Sequence, residues 1–150
     1  MVNTLKNISA YQSEPPTDLQ PRIIASGPLY PREKVLAVLD CGKTPSPFTK
    51  KCVQDLERLS LDLEKDVPEL IRTALISGTF LGSEWCQGKS PTLVVACDAY
   101  RLFRSEWVAH ARKDMRFEYY VKFALKRPKE ENSQPELILI VSCHLSEERR

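Results

Sequence analysis

No apolar run in this sequence approaches the ~20 residues needed to cross a bilayer as a helix, which argues against a membrane protein of that kind. Met1 opens no signal peptide, so a cytoplasmic location is expected. There is no CxxC pair: Cys41, Cys52, Cys86, Cys97 and Cys143 are dispersed and odd in number, the pattern of reduced thiols. Two histidines offer no zinc-ligand spacing, and neither a metal ion nor another cofactor is expected. Internal repeats and low-complexity tracts are missing. The net charge of +2 is too small to name a partner by itself.

The 150 residues suffice for one domain with a core that needs no disulfide or metal. The strongest pattern lies in the last third. From residue 115 to 126 the side chains alternate strictly. Met115, Phe117, Tyr119, Val121, Phe123 and Leu125 fall on one side, and Arg116, Glu118, Tyr120, Lys122, Ala124 and Lys126 on the other. That alternation predicts a strand with one buried and one polar face. After a polar connection, residues 137–145 are apolar on both sides until Ser142 and His144, as in an interior strand. If the two strands pair antiparallel, one choice of register puts Tyr120 and Lys122 on the same side as Ser142 and His144, and the sequence does not fix that register. Between Pro91 and Pro128 there are eight basic residues against four acidic, a local surplus that attracts a polyanion or merely solubilises a sheet face.

Upstream, residues 1–30 carry Pro15-Pro16, Pro21 and Pro28 among polar residues and read as an extended arm that buries little. Its short apolar pieces, Ile23-Ile24 and Leu29-Tyr30, are the parts suited to dock on the body. Residues 31–150 then form a single α+β domain. Helices are predicted over residues 31–40, from a cap at Ser46 with Pro47 in the first turn through Leu59, and from Asp66 to a stop at Gly78. Strands are predicted over about 79–85 and 93–101. Residues 102–114 suit either a helix, with Leu102, Phe103, Glu106, Trp107 and His110 on one face, or a hairpin turning near Arg112-Lys113-Asp114; the hairpin is preferred. Helices followed by an antiparallel meander make an α+β fold with the helices packed on one face of the sheet. Trp85 and Trp107 read as core or partner-interface groups, and His110 as a turn residue.

Several strings, taken in order, resemble one known family. Phe48-Thr49-Lys50-Lys51 followed by Leu59-Ser60-Leu61-Asp62-Leu63-Glu64 looks like its second helix and the turn after it. Cys97-Asp98-Ala99-Tyr100-Arg101, Tyr120-Val121-Lys122-Phe123 and Leu139-Ile140-Val141-Ser142-Cys143-His144 look like three of its strands. The family is that of the MqsR-type toxins, mRNA interferases of bacterial type II toxin–antitoxin systems with a RelE-like fold. The likeness spans roughly residues 31–145. It implies a metal-independent endoribonuclease, RNA as substrate, and a cognate antitoxin protein as partner. The family's site set is lysine, glutamine, tyrosine and lysine on the sheet. Position by position, the tyrosine is kept as Tyr120, the glutamine position looks like Cys97, the first lysine like Gly82 and the last like His144.

Metal-free RNA cleavage needs a base for the 2′-hydroxyl proton, an acid for the leaving 5′-oxygen, and cations for the charge that develops at phosphorus. Histidine serves either proton-transfer role near neutral pH. His144, Tyr120 and Cys97 are therefore the candidate catalytic residues, and Lys122, Arg101, Arg104 and Lys126 the candidate RNA-binding cations. Read without the resemblance, Cys97 is a small hydrophobe and Tyr120 a cross-strand packing partner. Two other readings stay open: a degenerate RelE-like domain that binds protein or RNA without cutting, and an unrelated α+β interaction domain.

Overall fold

A computed structural model describes residues 3–128 and 138–145. It is an α+β fold of three α-helices and a mostly antiparallel seven-stranded sheet. In chain order the elements are β1 (Lys6–Asn7), β2 (Ile23–Ile24), α1 (Arg32–Asp40), β3 (Ser46–Pro47), α2 (Lys50–Arg58), α3 (Asp66–Ser77), β4 (Thr79–Gln87), β5 (Leu93–Val108), β6 (Lys113–Leu125) and β7 (Ile138–Leu145). The strands lie in the order β2-β4-β5-β6-β7-β3, and β1 pairs with β5. The pairings of β1 with β5 and of β3 with β7 are parallel, and the others antiparallel.

The alternation in β6 persists in the fold. Tyr119, Val121 and Phe123 are buried and Phe117 is half-buried, while Arg116 is exposed. Phe123 stacks on Tyr100 of β5 with ring centroids 5.9 Å apart, and Phe80 meets Tyr100 edge-on at 5.5 Å. In β7, Ile138 through Val141 and Cys143 are buried, as expected of a strand flanked on both edges. Residue 137, the first of the strand predicted there, lies outside the described residues, as does most of the polar connection before it. Helix α3 packs on β5 and β6, α2 on β7, and α1 on α3 and β7.

The second helix starts later than its sequence suggests. Ser46-Pro47 is not a cap and first turn; it forms β3, beside Leu139 and Ile140 of β7. Proline has no N–H to give, which suits a short edge strand, and Phe48 N–H donates to the Ile140 carbonyl at 2.9 Å. Thr49 is the cap, accepting from Cys52 N–H at 3.0 Å. The region 102–114 is a hairpin, with β5 running on to Val108. Its turn, Ala109 to Arg112, comes slightly earlier than predicted and ends with Arg112 at φ +51°.

The proline-rich arm buries more than its composition suggests. It contributes β1 and β2 to the sheet, and Leu19 joins Trp85, Val94 and Ala96 in a second apolar cluster. Polar groups fasten it as well. The fully buried Asp98 carboxylate accepts from Leu29 and Tyr30 N–H and, at 2.6 Å, from the Ser83 hydroxyl. Gly27 is required beside that hub, because a Cβ there would stand 2.0 Å from Ser83 Oγ. Ile23-Ile24 pairs with β4, yet Ile23 remains exposed.

Candidate functional site

Directly opposed residues of paired strands share a face. The register therefore sets Arg101, Tyr120 and His144 in one row across the sheet, and Gly82, Ala99, Lys122 and Ser142 in the next. Seven residues from four strands become neighbours in this way although they are spread over the chain from Gly82 to His144.

The Tyr120 and His144 rings are stacked, with centroids 4.9 Å apart and planes 16° from parallel. His144 Nδ1 lies 2.9 Å from the Leu145 carbonyl. A carbonyl oxygen only accepts, so Nδ1 donates in this bond and Nε2 is the ring nitrogen not engaged in it. The backbone bond and the stack together hold the ring in one orientation.

Lys122 projects between this pair and β4. Its ammonium bonds Glu84 at 2.5 Å and lies 6.0 Å from the Tyr120 ring centroid. Burial disfavours its charge, but Cys86 and Glu84 beside it outweigh that and raise its pKa, so Lys122 is a permanent cation. Arg101 is exposed and pairs with Glu118 at 3.5 Å.

Three expected site residues stand elsewhere. Cys97 shares the face of Lys122 but is 0% exposed, and burial pushes its thiol well up while it bonds Cys86. Such a thiol stays protonated and out of reach of a substrate. Arg104 is opposed to Phe117, on the other side of β5 from Arg101 and Tyr120, where it bonds Asp66 at 2.8 Å. Lys126 has the same parity as Tyr120 but lies six residues further along β6, roughly 20 Å away at strand rise, in a bridge with Ser9.

Other residues join this face that the sequence did not mark as site residues. Glu84, the partner of Lys122, depends on lateral register. On the hairpin extension Phe103 and Trp107 are 43% and 64% exposed, and the Arg116 guanidinium lies 3.9 Å above the Phe103 ring. Both aromatics have the strand parity of Arg101, so they continue the face that bears Tyr120. Tyr120 also borders an open groove of about 600 Å³, lined by Ile23, Ile24, Leu81, Gly82, Glu84 and Ala99 among others.

Among the described residues no three His, Cys, Asp or Glu side chains are grouped to hold a metal ion, and no helix is long and apolar enough to cross a membrane. Comparison with protein-family models, curated proteins and solved structures found no match.

Proposed function

We propose that this chain is a metal-independent endoribonuclease, an mRNA interferase toxin of a cytoplasmic toxin–antitoxin pair, with its helices on one side of the sheet in a RelE-like arrangement. The observation that carries the reading is His144, stacked on Tyr120 and tied through Nδ1 so that Nε2 is available as a base. In this reaction Nε2 takes the 2′-hydroxyl proton and the 2′-oxygen attacks phosphorus. The 5′-oxygen leaves with a proton from the Tyr120 phenol, giving a 2′,3′-cyclic phosphate and a free 5′-hydroxyl. Arg101 and Lys122 offset the charge gathering on the phosphate oxygens. The exposed rings of Phe103 and Trp107 extend the same face as stacking surfaces for unpaired bases. A cognate antitoxin would silence the enzyme by covering this face.

The second reading is a RelE-like domain that binds protein or RNA without cutting. It draws on the pairing of Lys122 with Glu84 and Arg101 with Glu118, which offsets much of the site's positive charge. One assay separates the two. Purified protein is incubated with a panel of RNAs in EDTA, and the ends of the products are mapped. Cleavage that survives EDTA and leaves 2′,3′-cyclic phosphate ends is expected. Intact RNA throughout the panel, with binding retained, would establish the second reading instead.

A further inference from the structure

Cys86 and Cys97 take no part in the proton transfers above, yet their thiols are in contact. The register of β4 with β5 sets Cys86 opposite Val95 and Glu84 opposite Cys97, so the two cysteines are diagonal neighbours on one face of adjacent strands. Their side chains hydrogen-bond one another. Both are buried, Cys86 with 6% of its surface exposed and Cys97 with none.

The pair is unequal. Cys97 is enclosed and holds its proton, whereas the hydrogen bond from Cys97 and the nearby Lys122 ammonium outweigh burial at Cys86 and favour its thiolate. Cys86 is also one residue from the end of β4, where a strand opens most readily. The other buried thiols differ: burial pushes Cys52 and Cys143 up to about 12. Diagonal neighbours stand roughly 7–8 Å apart, just beyond the usual span of a disulfide, so joining the sulfurs draws β4 a short way along β5. Pairing with β2 spans Ser83 and Glu84 and does not reach Cys86, which leaves that end of β4 room to follow. A bond closed under such strain is readily reduced again, as regulatory disulfides are.

We propose that Cys86 and Cys97 are a hydroperoxide-sensitive pair that closes to a disulfide between β4 and β5, beside the ion pair of Glu84 and Lys122. The Cys86 sulfur attacks the O–O bond and becomes a sulfenic acid, and the alcohol (water, from hydrogen peroxide) leaves with the proton that Cys86 gave up. The Cys97 sulfur then displaces the sulfenic hydroxyl, which departs as water with the Cys97 proton. The thiols are thereby oxidised to a disulfide and the hydroperoxide is reduced to an alcohol and water. Closure removes the Cys86 thiolate from beside Lys122 and shifts Glu84, and so alters the face that bears Tyr120. The inference holds whether or not that face cuts RNA.

The test treats the full chain with hydrogen peroxide, unfolds it, blocks the remaining thiols with N-ethylmaleimide and maps the peptides by mass spectrometry. A cross-link between Cys86 and Cys97 is expected, lighter by two hydrogen atoms than the separate peptides and reversed by dithiothreitol, with Cys52 and Cys143 still free to be blocked. In Cys97→Ser, Cys86 is expected to stop at the sulfenic acid and to be trapped by dimedone. In Cys86→Ser, Cys97 is expected to lose its reactivity. Oxidation confined to the exposed Cys41 in the wild type, or a Cys97 that reacts as fast without Cys86, overturns the pair. Hydrogen exchange over residues 79–87 is expected to quicken in the oxidised protein and to recover on reduction. Exchange that does not change overturns the shift of β4 and its effect on Glu84.

Discussion

The two halves of β5 obey different rules. From Val94 to Tyr100 every residue is buried, whereas from Arg101 to Val108 burial alternates and Trp107 stands in solvent. The first half has β4 on one edge and β6 or β1 on the other, with apolar cover on both faces. Pairing with β4 ends at Thr79 opposite Arg101, and beyond it β5 and β6 continue as a two-stranded ribbon. Similar β-rich sequence thus becomes core or surface according to its neighbours. Arg101, Tyr120 and His144 form the row at the boundary. They stand on the sheet and open onto solvent, which is what the proposed catalytic pair requires.

The contrast can be broken most severely within the covered half. Phe123→Ala empties a fully buried position stacked on Tyr100 and is expected to cost about 3–5 kcal/mol in urea unfolding. Phe103→Ala, on the ribbon, is expected to cost about 0.5 kcal/mol or less. Comparable losses at the two positions would mean that the ribbon is also covered.

A smaller effect is expected at the junction of arm and sheet. Asp98→Asn keeps the volume but turns an NH2 toward groups that already donate, and about 1–3 kcal/mol should be lost. Hydrogen exchange at the Leu29 and Tyr30 amides should quicken at the same time. Unaltered protection there would show that apolar contacts alone hold the arm.

The smallest effect concerns Arg104 and Asp66, where the ribbon meets α3. Burial raises the Asp66 carboxyl, but the Asp62 N–H and the Arg104 guanidinium prevail and hold it below the usual carboxylate range. A depressed folded value contributes stability above the unfolded pKa of about 4, and that stability is lost as pH falls through the folded value. The difference in unfolding free energy between the wild type and Asp66→Asn should be about 1 kcal/mol at pH 7 for this partly exposed pair. It should shrink below about pH 4. A difference that does not vary with pH would remove the ion pair from the account.

Periodicity made the central strands legible, and with them the side that Tyr120 and Lys122 share, because parity is a local property of the chain; that His144 faces the same side needed the register of β6 with β7. Distance is not: Lys126 has the right parity and lies too far along β6. Arg101 and Arg104, three residues apart on one strand, must face opposite ways. That inference needed residues 102–108 to be strand, and their spacing also suited a helix. Cys97 entered the site through the resemblance, and alternation could not exclude it, because alternation reports which face a residue is on and not whether that face is covered there. Glu84 and the open groove at Gly82 depend on lateral register and a bulge, neither of which leaves a mark in the sequence of one strand. Ser46-Pro47 satisfied the preferences of a helix start, but its pairing with β7 prevailed.

The most direct test of the central claim is the single-turnover rate of RNA cleavage in EDTA by the wild type and by His144→Ala, with folding of both checked by circular dichroism. Loss of the positioned base should lower the rate by about 10²–10⁴-fold while the thermal midpoint stays close to that of the wild type. Cleavage by a folded His144→Ala protein at the wild-type rate would contradict the account and move the chemistry off this face.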